Sequence, residues 1–277
     1  MNPEPRHQAE YESRQVEAAR RVLVDLGQVL ASFRDCLVVV GGWVPDLLIS
    51  DVEEVHVGSI DVDLALDTQK LNDGRYAELL KLLFDTRRYR PGAKPFQLLT
   101  DVDLGDGGQP VQVEVEFLAA KEVKLKKNKP KLLPNFRVLQ ADGCGTAFNA
   151  PVEIELVGQT IRGAQNTVRL RVASLPDFII MKAHALAGRD KPKDAYDICY
   201  CLTNFPGGMD ALAAAWKQRA QEKDVLRAIE ILREKFATLN GFGPRQVVEF
   251  LDLVERETQE MQARRAFELV QKFLTLL

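Results

Sequence analysis

The chain has 277 residues, 46% hydrophobic and 28% charged, a composition that suits one large globular domain or two ordinary ones with a real core. A net charge of −3 gives the whole molecule no electrostatic attraction to nucleic acid, and no apolar run of 18 residues exists to span a membrane. Four cysteines without a CxxC pair and only three histidines exclude a zinc-site spacing. The opening MNPEPRHQAEYE lacks the basic start and apolar stretch of a secretory signal, so the expectation is a cytoplasmic protein with reduced, structural cysteines.

In chain order, residues 8 to 33 place Val16, Ala19, Leu23, Leu26, Leu30 and Phe33 at helical intervals and predict an amphipathic helix. CLVVV (36 to 40), stopped by Gly41-Gly42, predicts a buried strand entering a tight turn. Pro45 suits the first turn of a short helix in WVPDLLIS. A strand over 60 to 66 follows, then a cap at Asn72/Asp73 and a helix with Tyr76, Leu79, Leu80 and Leu83 on one stripe. FQLLTDVDL and VQVEVEFLA, separated by GDGGQP, predict a hairpin. KEVKLKKNKPK (121 to 131) holds six lysines and reads as a solvated loop, or else as a local grip on RNA phosphates. Strands are expected at FRVLQ, PVEIELVG and TVRLRVAS, the last two joined near Arg162-Gly163. From Ser174 the pattern is helical, over 178 to 188, 193 to 203, 208 to 220, 223 to 238 and 244 to 275.

Two features carry chemistry. Asp61 and Asp63 alternate with Ile60, Val62 and Leu64, so their carboxylates project from one strand face. Either they share a hard cation such as magnesium, or they decorate an exposed strand against aggregation. Gly58-Ser59, just ahead of them, are small enough for backbone N–H groups to approach phosphate oxygens. In VQVEVEFLA, Val113, Val115 and Phe117 point one way and Glu114, Glu116 and Leu118 the other. A third carboxylate on a neighbouring strand is what a two-metal phosphoryl-transfer site requires, and Glu116, beside Phe117-Leu118, is preferred over Glu114. The second feature is MKAHALAGRDKPKDAYDICYCL, with Lys182 and Arg189 seven apart on one helix face and Asp194 and Asp197 three apart on another. Trp43 and Tyr196 read as packing residues and His56 as incidental.

Gly41-Gly42-Trp43, Ser59-Ile60-Asp61-Val62-Asp63-Leu64 and Val115-Glu116-Phe117-Leu118 together resemble the nucleotidyltransferase superfamily of DNA polymerase β type, most closely the AbiEii-like toxins of type IV toxin–antitoxin systems. Lys182, Arg189, Lys193, Asp194 and Asp197 follow in the order of that family's lysine, arginine and D-x-x-D helix. The pattern divides the chain into a mixed α/β half over 1 to 173 and an all-helical half over 174 to 277, and the resemblance implies that the fold is α+β, the first half being a small mixed-sheet nucleotidyltransferase core with flanking helices. It implies transfer of a nucleotidyl group from a nucleoside triphosphate to an acceptor hydroxyl, with tRNA among the candidate acceptors and an antitoxin as partner. On this pattern Asp61, Asp63 and Glu116 hold two Mg²⁺ ions, Gly58 and Ser59 cradle phosphates, Lys182 offsets developing charge, and Arg189 and Asp194 join nucleotide binding. Two positions depart from the pattern: Glu116 stands where aspartate is usual, and Val57 where a basic residue is common. Two other readings fit the same residues, a catalytically silent member that binds nucleic acid or a partner protein, and a transferase with a small acceptor of aminoglycoside type.

Overall fold

In a computed structural model, residues 5–71, 74–121 and 138–277 are described. The chain divides into two units that do not follow each other in sequence: Glu12–Val44 with Ser59–Ser174 form one, and residues up to Tyr11, Pro45–Gly58 and Leu175–Leu277 form the other. No described helix is long and apolar enough to cross a membrane.

The first unit is built on one mixed sheet. Its strands are β1 (Leu37–Val40), β2 (Asp61–Leu66), β3 (Arg90–Pro91), β4 (Gln97–Val102), β5 (Val111–Ala120), β6 (Leu139–Ala141), β7 (Val152–Gln159) and β8 (Gln165–Val172). Their order is β3-β4-β5-β2-β1-β8-β7, with β6 alongside the end of β5. β2 runs antiparallel to β1 and parallel to β5, and β4 and β5 form the expected antiparallel hairpin. β1, flanked by β2 and β8, is buried at all four residues, which is why it reads as the continuous run Leu-Val-Val-Val. Helix α1 (Ser13–Val29) lays Ala18, Ala19, Val22, Leu23 and Leu26 on the sheet. It is shorter than the predicted 8 to 33: residues Ala31–Cys36 turn into a tighter 3₁₀ segment that delivers the chain to β1. Asp25, within that buried stripe, accepts hydrogen bonds from Arg88 at 2.5 Å and from the Tyr89 hydroxyl at 2.7 Å. A short helix, α2 (Trp43–Leu48), follows the Gly41-Gly42 turn, its residues from Pro45 onward belonging to the other unit, and α3 (Arg75–Asp85) buries Tyr76, Leu79, Leu80 and Leu83. The cap expected at Asn72/Asp73, the lysine run beyond Lys121 and the first residues of FRVLQ lie outside the described residues.

The second unit is helical: α4 (Leu175–Gly188), α5 (Pro192–Asn204), α6 (Gly208–Lys217), α7 (Lys223–Lys235), α8 (Phe242–Phe250) and α9 (Arg256–Thr275). Pro192 occupies the first turn of α5 and Asp194 the turn's acidic position, both favourable at a helix start. α5 packs against α4, α8 and α9. The single helix expected over 244 to 275 is two. Asp252 adopts a left-handed φ of 50° and Glu255 is extended, so the chain stops after Phe250 and restarts at Arg256. Four free cysteines, 36, 144, 199 and 201, are all buried.

Candidate active site

In the sheet unit, parallel pairing places Asp61 opposite Glu114 and Asp63 opposite Glu116. Val62, Leu64, Val115 and Phe117 turn to the other face and are at most 4% exposed. Period-two alternation thus gathers four carboxylates onto one half-buried sheet face while the opposite face anchors both strands in the core. Glu116 is the more deeply set of the two glutamates, its side chain 15% exposed against 41% for Glu114.

The surroundings show how such a face is tolerated. The Ser59 hydroxyl donates to Asp61 Oδ1 at 2.5 Å. The indole N–H of Trp43 donates to the Asp61 carbonyl at 2.7 Å and pins the start of β2. Gly41, at φ 71°, leaves the space that the Asp63 carboxylate fills; a Cβ there would collide with Asp63 Oδ2. On the β5 side, Lys94 Nζ lies 2.9 Å from Glu116 Oε1 and 4.0 Å from Glu114 Oε2, and the side-chain amide of Gln97 donates to Glu114 at 2.5 Å. Burial pushes the Glu114 carboxyl up, Lys94 pulls it down, and the charges of Glu116 and Asp61 push it up again.

The donor set is all carboxylate oxygen, the chemistry of a hard divalent cation, and the space above Gly41 suits Asp63 as a ligand. Among the described residues, however, no three His, Cys, Asp or Glu side chains are gathered tightly enough to hold a metal. Lys94 occupies Glu116 instead.

The helical unit holds the second group of expected residues. Lys182, 7% exposed, lies between two fully buried carboxylates, 2.8 Å from Asp194 Oδ1 and 2.7 Å from Asp197 Oδ2. Arg189 pairs with Asp194 through two N–H groups at 2.7 and 2.9 Å, and its guanidinium remains half-exposed. Lys193 Nζ lies 2.8 Å from Asp197 Oδ1. Burial alone would raise both carboxyls, yet Lys182 and Arg189 hold Asp194 down at about 2, and Lys182 and Lys193 hold Asp197 well below the usual range. Burial works against the Lys182 charge, but Asp194 and Asp197 outweigh it and raise its pKa.

His56, read in the sequence as incidental, completes this network. It is 5% exposed, with Nε2 3.0 Å from Asp197 Oδ1, while the Gly58 backbone N–H points at Nδ1 from 3.1 Å. A backbone N–H can only donate, so Nδ1 is the acceptor and the ring proton sits on Nε2 facing Asp197. Burial first, and then the Lys193 charge, push the imidazole down to about 4. Gly58, at φ 72°, therefore directs its N–H to His56. Tyr196 packs against Phe250, ring centroids 4.6 Å apart. His56, Lys94 and Gln97 gave no sequence signal because the charged side chains they meet are distant along the chain; His56 and Asp197 are 141 positions apart.

A family model described as nucleotidyl transferase AbiEii toxin, type IV TA system, matches residues 25–274. Among solved structures, an antigenic nucleotidyltransferase-like protein from Paracoccidioides brasiliensis is similar at 17% identity and a TM-score of 0.41, over 78% of this chain and 88% of that one. No curated protein matches the chain.

Proposed function

Because the chain belongs to the AbiEii family of nucleotidyl transferase toxins of type IV toxin–antitoxin systems, we propose that it moves a nucleotidyl group from a nucleoside triphosphate to an acceptor hydroxyl, RNA such as tRNA in the first instance, under control of an antitoxin. The observation that carries this reading is the in-register placement of Asp61 and Asp63 beside Glu114 and Glu116 on one half-buried sheet face. Four acids so placed repel one another unless a cation joins them.

In this reading Asp61 and Asp63 would hold Mg²⁺, with Glu116 as the third carboxylate available to it. A divalent cation, when bound, neutralises triphosphate charge and helps align the acceptor oxygen with the α-phosphorus. The Ser59 hydroxyl fixes the orientation of Asp61, and the turn at Gly41 keeps the Asp63 carboxylate in its slot. Glu116 takes the proton of the acceptor hydroxyl as its oxygen bonds to the α-phosphorus; the α–β phosphoanhydride bond breaks and pyrophosphate leaves. The Gly58 N–H expected to meet a phosphate points instead at His56 Nδ1, and Ser59 acts through Asp61. Within the helical unit, Arg189 keeps a half-exposed guanidinium, which makes it the residue of that group able to meet an anion. Lys182, buried between Asp194 and Asp197, balances the charge of that network, and Asp194 pairs with both Lys182 and Arg189.

The test is transfer from labelled nucleoside triphosphates to an RNA pool with Mg²⁺, together with growth inhibition on expression. Asp61→Asn is expected to lower transfer at least about 100-fold, since even outer-shell partners of metal ligands are worth roughly 10–100-fold. Its folding should be unaffected. Wild-type protein that labels nothing with any nucleotide, and is as harmless as the variant, would defeat the reading.

A further inference from the structure

Resting on the proposed metal role of Asp61, Asp63 and Glu116, we infer that Lys94 is a built-in counter-cation that occupies the third carboxylate until a divalent metal displaces it, and so sets how tightly the site binds metal.

Two residues from one short stretch reach both β5 glutamates. Gln97, at the start of β4, is paired in register with Glu116 and is 3% exposed. Its amide donates to Glu114 at 2.5 Å and reaches Glu116 at 3.4 Å. It is an element of the sheet, with no water to retreat into. Lys94 differs in each respect. It lies in the connection between β3 and β4, its side chain is 40% exposed, and its ammonium rests 5.8 Å from the Phe96 ring centroid as well as 2.9 Å from Glu116 Oε1. A long, half-exposed side chain can swing into solvent, and an ion pair of this exposure is weak enough for a divalent ion to displace. Lys94 therefore offsets the acidic face when no metal is bound and gives way when one is. Gln97 supports the glutamates in either state without contributing charge.

The experiment is Mn²⁺ titration by calorimetry on the full chain, with the Mn²⁺-induced rise in melting temperature as a second readout. Lys94→Gln is expected to tighten Mn²⁺ binding about threefold to tenfold, the order expected for removing one partly screened charge from beside a divalent ion. Its melting temperature without metal should fall and its rise with metal should exceed that of wild type. Lys94→Arg, which keeps the charge, should bind as wild type does. Adding Glu116→Gln to Lys94→Gln should cancel the gain. If Lys94→Gln binds Mn²⁺ no tighter while Asp61→Asn loses it, the inference about Lys94 falls and the metal reading stands. If wild-type protein binds no Mn²⁺ with or without nucleotide, both fall.

Discussion

Gly41 shows how one residue with no side chain shapes an acidic site. Its φ of 71° is costly for any L-residue, and a Cβ there would also strike Asp63, so two separate penalties coincide. Gly105 offers the control, with φ 73° and nothing within 4 Å of the place a methyl group would take. Gly105→Ala is expected to cost only the backbone penalty, about 1–2 kcal/mol, by urea denaturation. Gly41→Ala should cost more, and should also lower transfer by moving Asp63; equal losses at both positions would show that Asp63 is not crowded there. At this scale the sequence was legible where chemistry follows alternation. Asp61 and Asp63 share a face because strands have period two, and so do Glu114 and Glu116; that the two pairs meet is set by the parallel pairing of β2 with β5. Lys94, Gln97 and His56 were not legible, since nothing in the residues around them specifies what they meet.

Among elements, α5 concentrates the buried charge. Asp194 and Asp197 are both fully buried and face Lys182, Lys193 and Arg189, so Lys182 carries part of the fold as well as any part of the chemistry. Lys182→Met leaves two buried carboxylates short of a cation and is expected to cost about 3–5 kcal/mol of stability. A loss of activity in that variant has to be read beside its melting curve. His56 gives the same network a pH dependence. Its imidazole, 6.5 in the unfolded chain and pushed down to about 4 by burial, is neutral in the fold, so between those values the unfolded state binds the extra proton. Stability should therefore be full above about pH 6.5 and fall as pH drops toward 4, by up to about 3 kcal/mol from this group alone. Asp194 adds a loss only at lower pH, as pH falls from 3.8 through about 2. Urea denaturation from pH 7 to 4 checks this, and His56→Asn should flatten the curve in that window. The elements themselves were mostly readable, because α4 to α7 and the β4–β5 hairpin follow local periodicity. The break between α8 and α9 was not, because a left-handed Asp252 interrupts a stripe of apolar residues that continues on both sides.

At the scale of the whole molecule, the α+β class was evident from the switch of period near residue 174, whereas the interleaving of the two units was not. Short apolar runs such as WVPDLLIS do not declare which neighbours they will join. The helical unit takes Pro45–Gly58 from early in the chain, and with it His56 and the Glu54 carbonyl that accepts from the Tyr200 hydroxyl at 3.0 Å. Residues 174 to 277 produced alone would leave Asp197 without its imidazole partner. That fragment is expected to lack a sharp cooperative melting transition by circular dichroism, in contrast to the full chain.

The same interleaving sets a delay during translation. With ribosomes adding roughly 5–20 residues per second, the 141 positions between His56 and Asp197 take about 7–28 s to make. For that interval the early segment is finished but has nowhere to dock, so the nascent chain has no complete helical unit until α4 to α9 have emerged.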